Sequence, residues 1–245
     1  MIELRLGSQQ VTENWSKYLA GLRTLVIDKN EYVTDTILGN LTNIASLSLQ
    51  SNKKITDEGL KYLTNIQSLC ISHNKRITGA GIKNLVQITK LDIRGAIITD
   101  EALKYFTKIN NLMLGYNQMI SDESILCLTN ITSLRVYGCD LVTGYSIGKL
   151  TKLVSLDLSY KKNVFDKDLR ALTNIISLDI SCCKITGESI SRLIKLESLS
   201  LYMNYNVSEQ NYRALTNLKE LCLMGCSYVN RQGLPNLTKF VHLSI

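Results

Sequence analysis

LTNIASLSLQSNKKITDEGLKY, residues 41–62, is followed without a gap by LTNIQSLCISHNKRITGAGIKN, residues 63–84. The same phrase returns as LTNITSLRVYGCDLVTGYSIGK at 128–149 and LTNIISLDISCCKITGESISRL at 172–193. The shared spacing is apolar-x-x-apolar-x-apolar-x-x-Asn/Cys. Units with it begin at Met1, Leu22, Ile44, Ile66, Ile88, Ile109, Ile131, Leu153, Ile175, Leu196, Leu218 and Phe240, at intervals of 21 or 22 residues. That makes eleven full repeats and a twelfth that stops at Ile245, so residues 1–245 are expected to form a single array with no separate second domain.

The chemistry of one unit explains the repeat. Leu47 and Leu49 alternate with Ser46, Ser48 and Gln50, the period-two pattern of a short strand with one buried face. Asn52 follows, where a side-chain amide can satisfy the backbone of a turn. Thr56 then precedes Asp57 and Glu58, an N-cap with acidic residues in the first helical turn. Leu60 and Leu63 share one helical face. The cap column runs Thr12, Thr34, Thr56, Thr78, Thr99, Ser121, Thr143, Thr186, Ser208 and Asn230. Phe165 breaks it, and the turn there is predicted to start at Asp166. The turn column runs Gln9, Asn30, Asn52, Asn74, Ala96, Asn117, Cys139, Lys161, Cys183, Asn204 and Cys226. Its cysteines read as small buried donors replacing asparagine. Ala96 predicts a tighter turn in a 21-residue repeat. Lys161 cannot be buried charged without partners, so Asn163 is expected to take over the asparagine role there.

A fixed period of this kind resembles the leucine-rich repeat family over the whole chain. The alternation of Asn and Cys, with the Ile-Thr-Asp-Glu-Gly-Leu phrase, is similar to the cysteine-containing subclass found in F-box substrate adaptors. The Asn/Lys/Ile-rich wording resembles arrays from protists and large DNA viruses. No F-box-like helical segment precedes the repeats, so a ubiquitin role is not carried over. The resemblance implies an α/β solenoid, a curved horseshoe with short parallel strands on its concave side and short helices on its convex side.

Composition removes several function classes. The chain has 245 residues, of which 45% are hydrophobic, ample for a core. No apolar run approaches the roughly 18 residues of a membrane span, and the first ten residues carry no secretory pattern. Seven cysteines, an odd number without paired metal spacing, fit free thiols in a reducing, cytoplasmic setting. Chance accounts for the five Asn-x-Ser/Thr sequons. The net charge of +7 is modest and includes no long basic run. His73 and Cys70 lie on one strand region but lack an orienting third group. No phosphate loop or metal cluster appears, so no cofactor, no metal and no enzymatic activity are expected.

Scaffold positions repeat; functional positions diverge. The third position of each unit is a serine stripe (Ser46, Ser68, Ser133, Ser155, Ser177, Ser198), which suggests packing. The fifth, seventh and eighth positions vary, and all are expected to face outward from the strands. In the later repeats they carry Arg94, Met113, Tyr116, Arg135, Tyr137, Asp157, Tyr160, Asp179, Tyr202, Met203 and Met224. Strands about 4.8 Å apart would set these in one apolar-aromatic band. Tyr and Arg suit interface hot spots and Met suits adaptable surfaces. A protein partner on the concave face is therefore the leading expectation. Tyrosines that merely cover strand edges are the structural alternative. Self-assembly through uncapped ends is a second reading, because Met1, Leu4, Leu6, Phe240, Leu243 and Ile245 are core-type residues, with Trp15 and Tyr18 expected to shield the first repeat. A weak polyanion binder is a third. The concave columns carry about as many acids as bases, which disfavours nucleic acid.

Overall fold

The computed structural model describes residues 3–7, 9–19, 21–226 and 242–244. The chain forms two compact units, Met1–Ile120 and Ser121–Ile245. In the first, three-residue strands β1 (Glu3–Arg5), β2 (Thr24–Val26), β3 (Ser46–Ser48), β4 (Ser68–Cys70), β5 (Lys90–Asp92) and β6 (Asn111–Met113) lie side by side in chain order, all parallel. In the second, β7 (Ser133–Arg135), β8 (Ser155–Asp157), β9 (Ser177–Asp179), β10 (Ser198–Ser200), β11 (Glu220–Cys222) and β12 (His242–Ser244) do the same. Among the described residues, each crossover from β1 through β11 carries a single helical turn. These are α1 (Ser16–Leu19, after a 3-10 turn at Glu13–Trp15), α2 (Asp35–Leu38), α3 (Asp57–Leu60), α4 (Gly79–Ile82) and α5 (Asp100–Leu103) in the first unit. The second has α6 (Asp122–Ile125), α7 (Gly144–Ile147), α8 (Asp166–Leu169), α9 (Gly187–Ile190) and α10 (Glu209–Arg213).

Helices of four residues cannot persist alone; stacking holds them. The central strand leucines, Leu25, Leu47, Leu69, Leu91 and Leu112 in one unit and Leu134, Leu156, Leu178, Leu199 and Leu221 in the other, are all at most 2% exposed. Each such side chain contributes about 1.5–3 kcal/mol relative to exposure. Register survives the change from 22 to 21 residues: Leu69 pairs with Leu91 and Leu91 with Leu112. The residue is lost between strand and helix, at the turn containing Ala96, where the Ala96 N–H bonds Ile93 O at 3.0 Å.

The asparagine column joins repeats. Asn52 Nδ2 donates to Asn30 O at 2.9 Å, while its Oδ1 accepts from Lys54 and Ile55 N–H at 3.0 and 3.1 Å. Asn30 and Asn204 do the same work. Cys183 Sγ donates to Leu158 O at 2.8 Å and Cys226 Sγ to Leu201 O at 3.0 Å, so the thiols supply the donor and drop the acceptor. Burial pushes the Cys183 thiol up to about 12, as befits a structural group. Lys161 departs from expectation. It is only 1% exposed, and its ammonium donates to Cys139 O and Val142 O, while Asn163 Nδ2 bonds Asp140 O at 2.9 Å. Lysine and asparagine thus share the role expected of Asn163 alone.

The cap threonines do more than cap. Thr56 N–H and Oγ1 donate to the Asp35 carboxylate at 2.9 and 2.6 Å, Thr78 to Asp57 at 2.7 and 2.7 Å, and Thr143 to Asp122 at 2.7 and 2.6 Å. The first-turn acid of one repeat is therefore stapled to the cap of the next. Helix α8 starts at Asp166 as predicted, with Asp168 accepting the Phe165 N–H at 2.9 Å.

At the first repeat, Leu6 is buried at 3%, so it is not an open core residue; Leu4 and Trp15 are half-buried and Tyr18 is 71% exposed. The starts at Met1 and Phe240, the cap at Asn230, and the expected exposure of Met1, Phe240, Ile245 and the Leu243 side chain lie outside the described residues. Among the described residues no helix is long and apolar enough to cross a membrane, and all seven cysteines are free.

Candidate partner-binding face

Where each strand ends, the eighth position of the repeat adopts left-handed backbone. In the first unit these residues are Lys29, Ser51, His73, Gly95 and Tyr116, with φ between 56° and 60°. In the second they are Gly138, Tyr160, Cys182, Met203 and Gly225, with φ between 50° and 74°. The turn that sends the chain off the sheet requires this conformation, and glycine meets it without strain. An L side chain there costs about 1–2 kcal/mol. Three glycines recurring at one repeat position were a readable signal for this bend.

The bend corrects the expectation that the whole seventh column faces outward. Ser72 and Ser181 are buried at 0% and 5%, and Gly115 is buried as well. Asp28, from the same column, accepts the Gln50 N–H and the Ser48 hydroxyl at 2.8 and 2.5 Å.

In the first unit, Arg94 is half-buried and bound bidentately to Asp92 at 2.9 and 2.6 Å. Met113 is half-buried, and Tyr116 is 64% exposed. Cys70 approaches Ser72 and Asp92 at 3.4 and 3.5 Å and forms no hydrogen bond with His73 among the described residues. Burial and the Asp92 charge raise the Cys70 thiol above its ordinary value, which disfavours a thiolate nucleophile.

In the second unit, Arg135, Asp157 and Asp179 stand on adjacent rungs of one strand column. Arg135 is exposed and forms no ion pair among the described residues. The two aspartates partly serve the scaffold. Asp157 accepts the Ser159 N–H and hydroxyl at 3.0 and 2.7 Å, and Asp179 the Ser181 N–H at 2.9 Å. Burial raises the Asp179 carboxyl above its ordinary value, and the Asp157 charge adds to this against the Ser181 hydrogen bonds. Tyr160 is 57% exposed, Tyr202 36%, Met203 42% and Met224 47%, whereas Tyr137 is half-buried. The band is not continuous. Buried Ser181 and half-buried Cys182 leave a notch between Tyr160 and Tyr202, two rungs or about 10 Å apart.

The pattern described as "Leucine Rich repeat" matches residues 40–64, 62–86 and 171–193. With the periodic sequence and the parallel one-turn repeats, that decides the fold. The chain has the leucine-rich repeat fold. No curated protein matches the sequence. Among solved structures it is similar to an internalin, InlF, from Listeria monocytogenes, at 26% identity over 94% of this chain and 68% of that one, with a TM-score of 0.72. Rad7 and Elc1 from yeast, solved as a complex, give 19% identity over 94% and 71% with a TM-score of 0.72. The TLR13–ssRNA13 complex gives 19% over 98% and 42% with a TM-score of 0.59. At those last two identities the likeness is one of fold. The leucine-rich repeat frame explains why the interior is uniform.

Proposed function

We propose that this leucine-rich repeat protein is a non-enzymatic interaction scaffold that takes a protein partner on its open strand face. One observation carries the reading. Tyr116, Tyr160 and Met203 are 64%, 57% and 42% exposed, and all three occupy left-handed backbone where other repeats use glycine. Strain of this kind costs about 1–3 kcal/mol and persists where it serves a site. Large exposed apolar side chains also cost solubility; this penalty and the strain are offset when a partner covers them.

The second unit supplies the most complete surface. Tyr160 on one side and Tyr202, Met203 and Met224 on the other flank the notch over Ser181 and Cys182. Arg135 and the Asp157–Asp179 pair lie on the neighbouring strand column. This suits a partner segment that inserts an apolar side chain between the tyrosines and offers a base to the aspartates. A rigid ladder pre-arranges these groups and limits the entropy lost on docking. Support from relatives is general: the yeast neighbour was solved in a complex.

Site-specific photocrosslinking in the source cells tests the proposal. A benzophenone side chain at Tyr160 or Tyr202 should capture a discrete protein, and one at Tyr145, 64% exposed on α7, should not. Replacing Tyr137, Tyr160 and Tyr202 by Ala should then abolish binding of that protein. Capture at Tyr145 alone, or unchanged affinity of the triple variant, rejects the strand face.

A further inference from the structure

Two helices of the first unit share an arrangement that the helix between them in sequence lacks. Helices α3 and α5 both open with Asp-Glu, and each Glu reaches a Lys three residues on: Glu58–Lys61 at 2.6 Å and Glu101–Lys104 at 3.3 Å. Helix α4, between them in sequence, opens with Gly79-Ala80 and keeps Lys83. The carboxylate that should neutralise this lysine is missing, and Lys83 forms no ion pair or side-chain hydrogen bond among the described residues.

The missing side chains also leave space. A groove of about 430 Å³ opens over Gly79 and Ala80, floored by Ala102, with Ile97 and Tyr105 as apolar walls and Lys83 and Glu101 at the rim. A methyl group at Gly79 would come within 2.8 Å of the Ala102 side chain, so the floor is already as shallow as packing allows. The one-residue-shorter turn at Ala96 contributes the wall, because Ile97 is tied to Thr78 by a parallel bridge. Ile97 and Tyr105 remain 40% and 47% exposed. Three coupled departures from the repeat thus produce one feature: apolar walls, room for a large side chain, and a single uncompensated positive charge, since Glu101 is already paired with Lys104. The volume lies within the usual range of binding pockets.

We propose that this groove docks an extended segment of a partner protein that carries a large apolar side chain with a carboxylate one or two residues away. The apolar group lies on Ile97, Ala102 and Tyr105, and the carboxylate meets Lys83. Charge complementarity selects this occupant: a neutral segment leaves Lys83 unanswered, and a basic one brings its own positive charge against it. This surface is independent of the strand face, and either can fail without the other.

The test is an NMR titration of the full chain with blocked tetrapeptides. The probe is glycine-aspartate-phenylalanine-glycine; the controls replace aspartate by lysine, or phenylalanine by glycine. Shifts confined to Ala80, Lys83, Ile97, Ala102 and Tyr105 are expected with the probe, and each control should bind at least about fivefold more weakly. Ala80→Glu restores the pairing found in α3 and α5 at an exposed position, so it should fold normally and weaken the probe about two- to fivefold. Lys83→Glu should invert the preference between the aspartate and lysine peptides. Equal binding of those two peptides, shifts elsewhere on the protein, or no shifts at millimolar probe overturns the proposal.

Discussion

Lys161→Asn should stabilise this protein. Lys161 sits where Asn30, Asn52 and Asn204 brace the turn in other repeats, and it supplies only half of what they supply. Its ammonium bonds two carbonyls, but it has no acceptor to offer, and the N–H groups of Asn163 and Val164 find none among the described residues. An asparagine would reach Cys139 O as Asn52 reaches Asn30 O, and would receive both N–H groups as Asn52 receives those of Lys54 and Ile55. Val142 O keeps the Asn163 amide at 3.3 Å. Two buried donors gaining partners at about 1 kcal/mol each give about 2 kcal/mol. That is a rise in Tm of about 4–8 °C for a chain of this size. The effect should depend on pH. Burial lowers the Lys161 pKa below its ordinary 10.5, against weaker opposing charges that include Asp140 and Asp122. The folded wild type therefore favours the neutral amine, and it recovers stability as pH rises from that lowered value towards 10.5. Thermal and urea unfolding at pH 7 and at several alkaline pH values should show the variant's advantage largest at neutrality and shrinking upward. A variant less stable than wild type, or a gap that ignores pH, refutes the reasoning.

Two further outcomes follow from the contacts between repeats. Gly81→Ala should cost more than about 1 kcal/mol, because the added methyl group would stand 2.8 Å from the Asp57 Cα. Gly39→Ala meets nothing closer than 3.6 Å and should be neutral or stabilising, so equal effects in urea unfolding would discredit the packing argument. Asp166 and Asp179 should respond oppositely to acid. For Asp166, burial pushes the carboxyl up, but the hydrogen bonds from Thr186 and Ser189 prevail and hold it below 3.8. Asp166→Asn should therefore destabilise at neutral pH, with the deficit closing as pH falls below about 4. Burial raises Asp179, so Asp179→Asn should gain stability at pH 7 and lose that gain as pH falls through the raised value. Parallel pH profiles for the two variants would contradict this.

The frame of the fold was legible because it depends on apolar side chains repeated at fixed spacing. Leu47, Leu49, Ile55 and Leu60 are all buried as their pattern predicts. What escaped depends on backbone conformation and on contacts across repeats. Alternation on the strand reads the whole seventh column as outward, whereas the bend buries Ser72 and Ser181 within it. The glycines at 95, 138 and 225 mark that bend, yet a column holding Tyr, Cys, Met and Gly reads as diversity, not as a shared φ. Asp57 reads in the sequence as a helix-dipole partner, yet it acts, like Asp35 and Asp122, as a staple between repeats. Their stapling role needs the threonine a full repeat later, a spacing no local motif contains. Asp157 and Asp179 read in the sequence as surface charges, but serine two residues on makes each a turn acceptor as well. The groove beside Lys83 was written in the exchange of Asp-Glu for Gly-Ala, though only the packed repeats show that it opens a space.

If side chains at the strand ends are retained for a partner at the expense of the fold, removing one should raise stability and weaken binding together. Tyr160→Gly tests it most directly, with unfolding free energy and affinity for the protein crosslinked at Tyr202 measured on the same sample. The claim predicts a variant more stable by about 1 kcal/mol that binds at least tenfold more weakly. A variant that is less stable, with binding unchanged, would show Tyr160 to be a structural residue and contradict the claim.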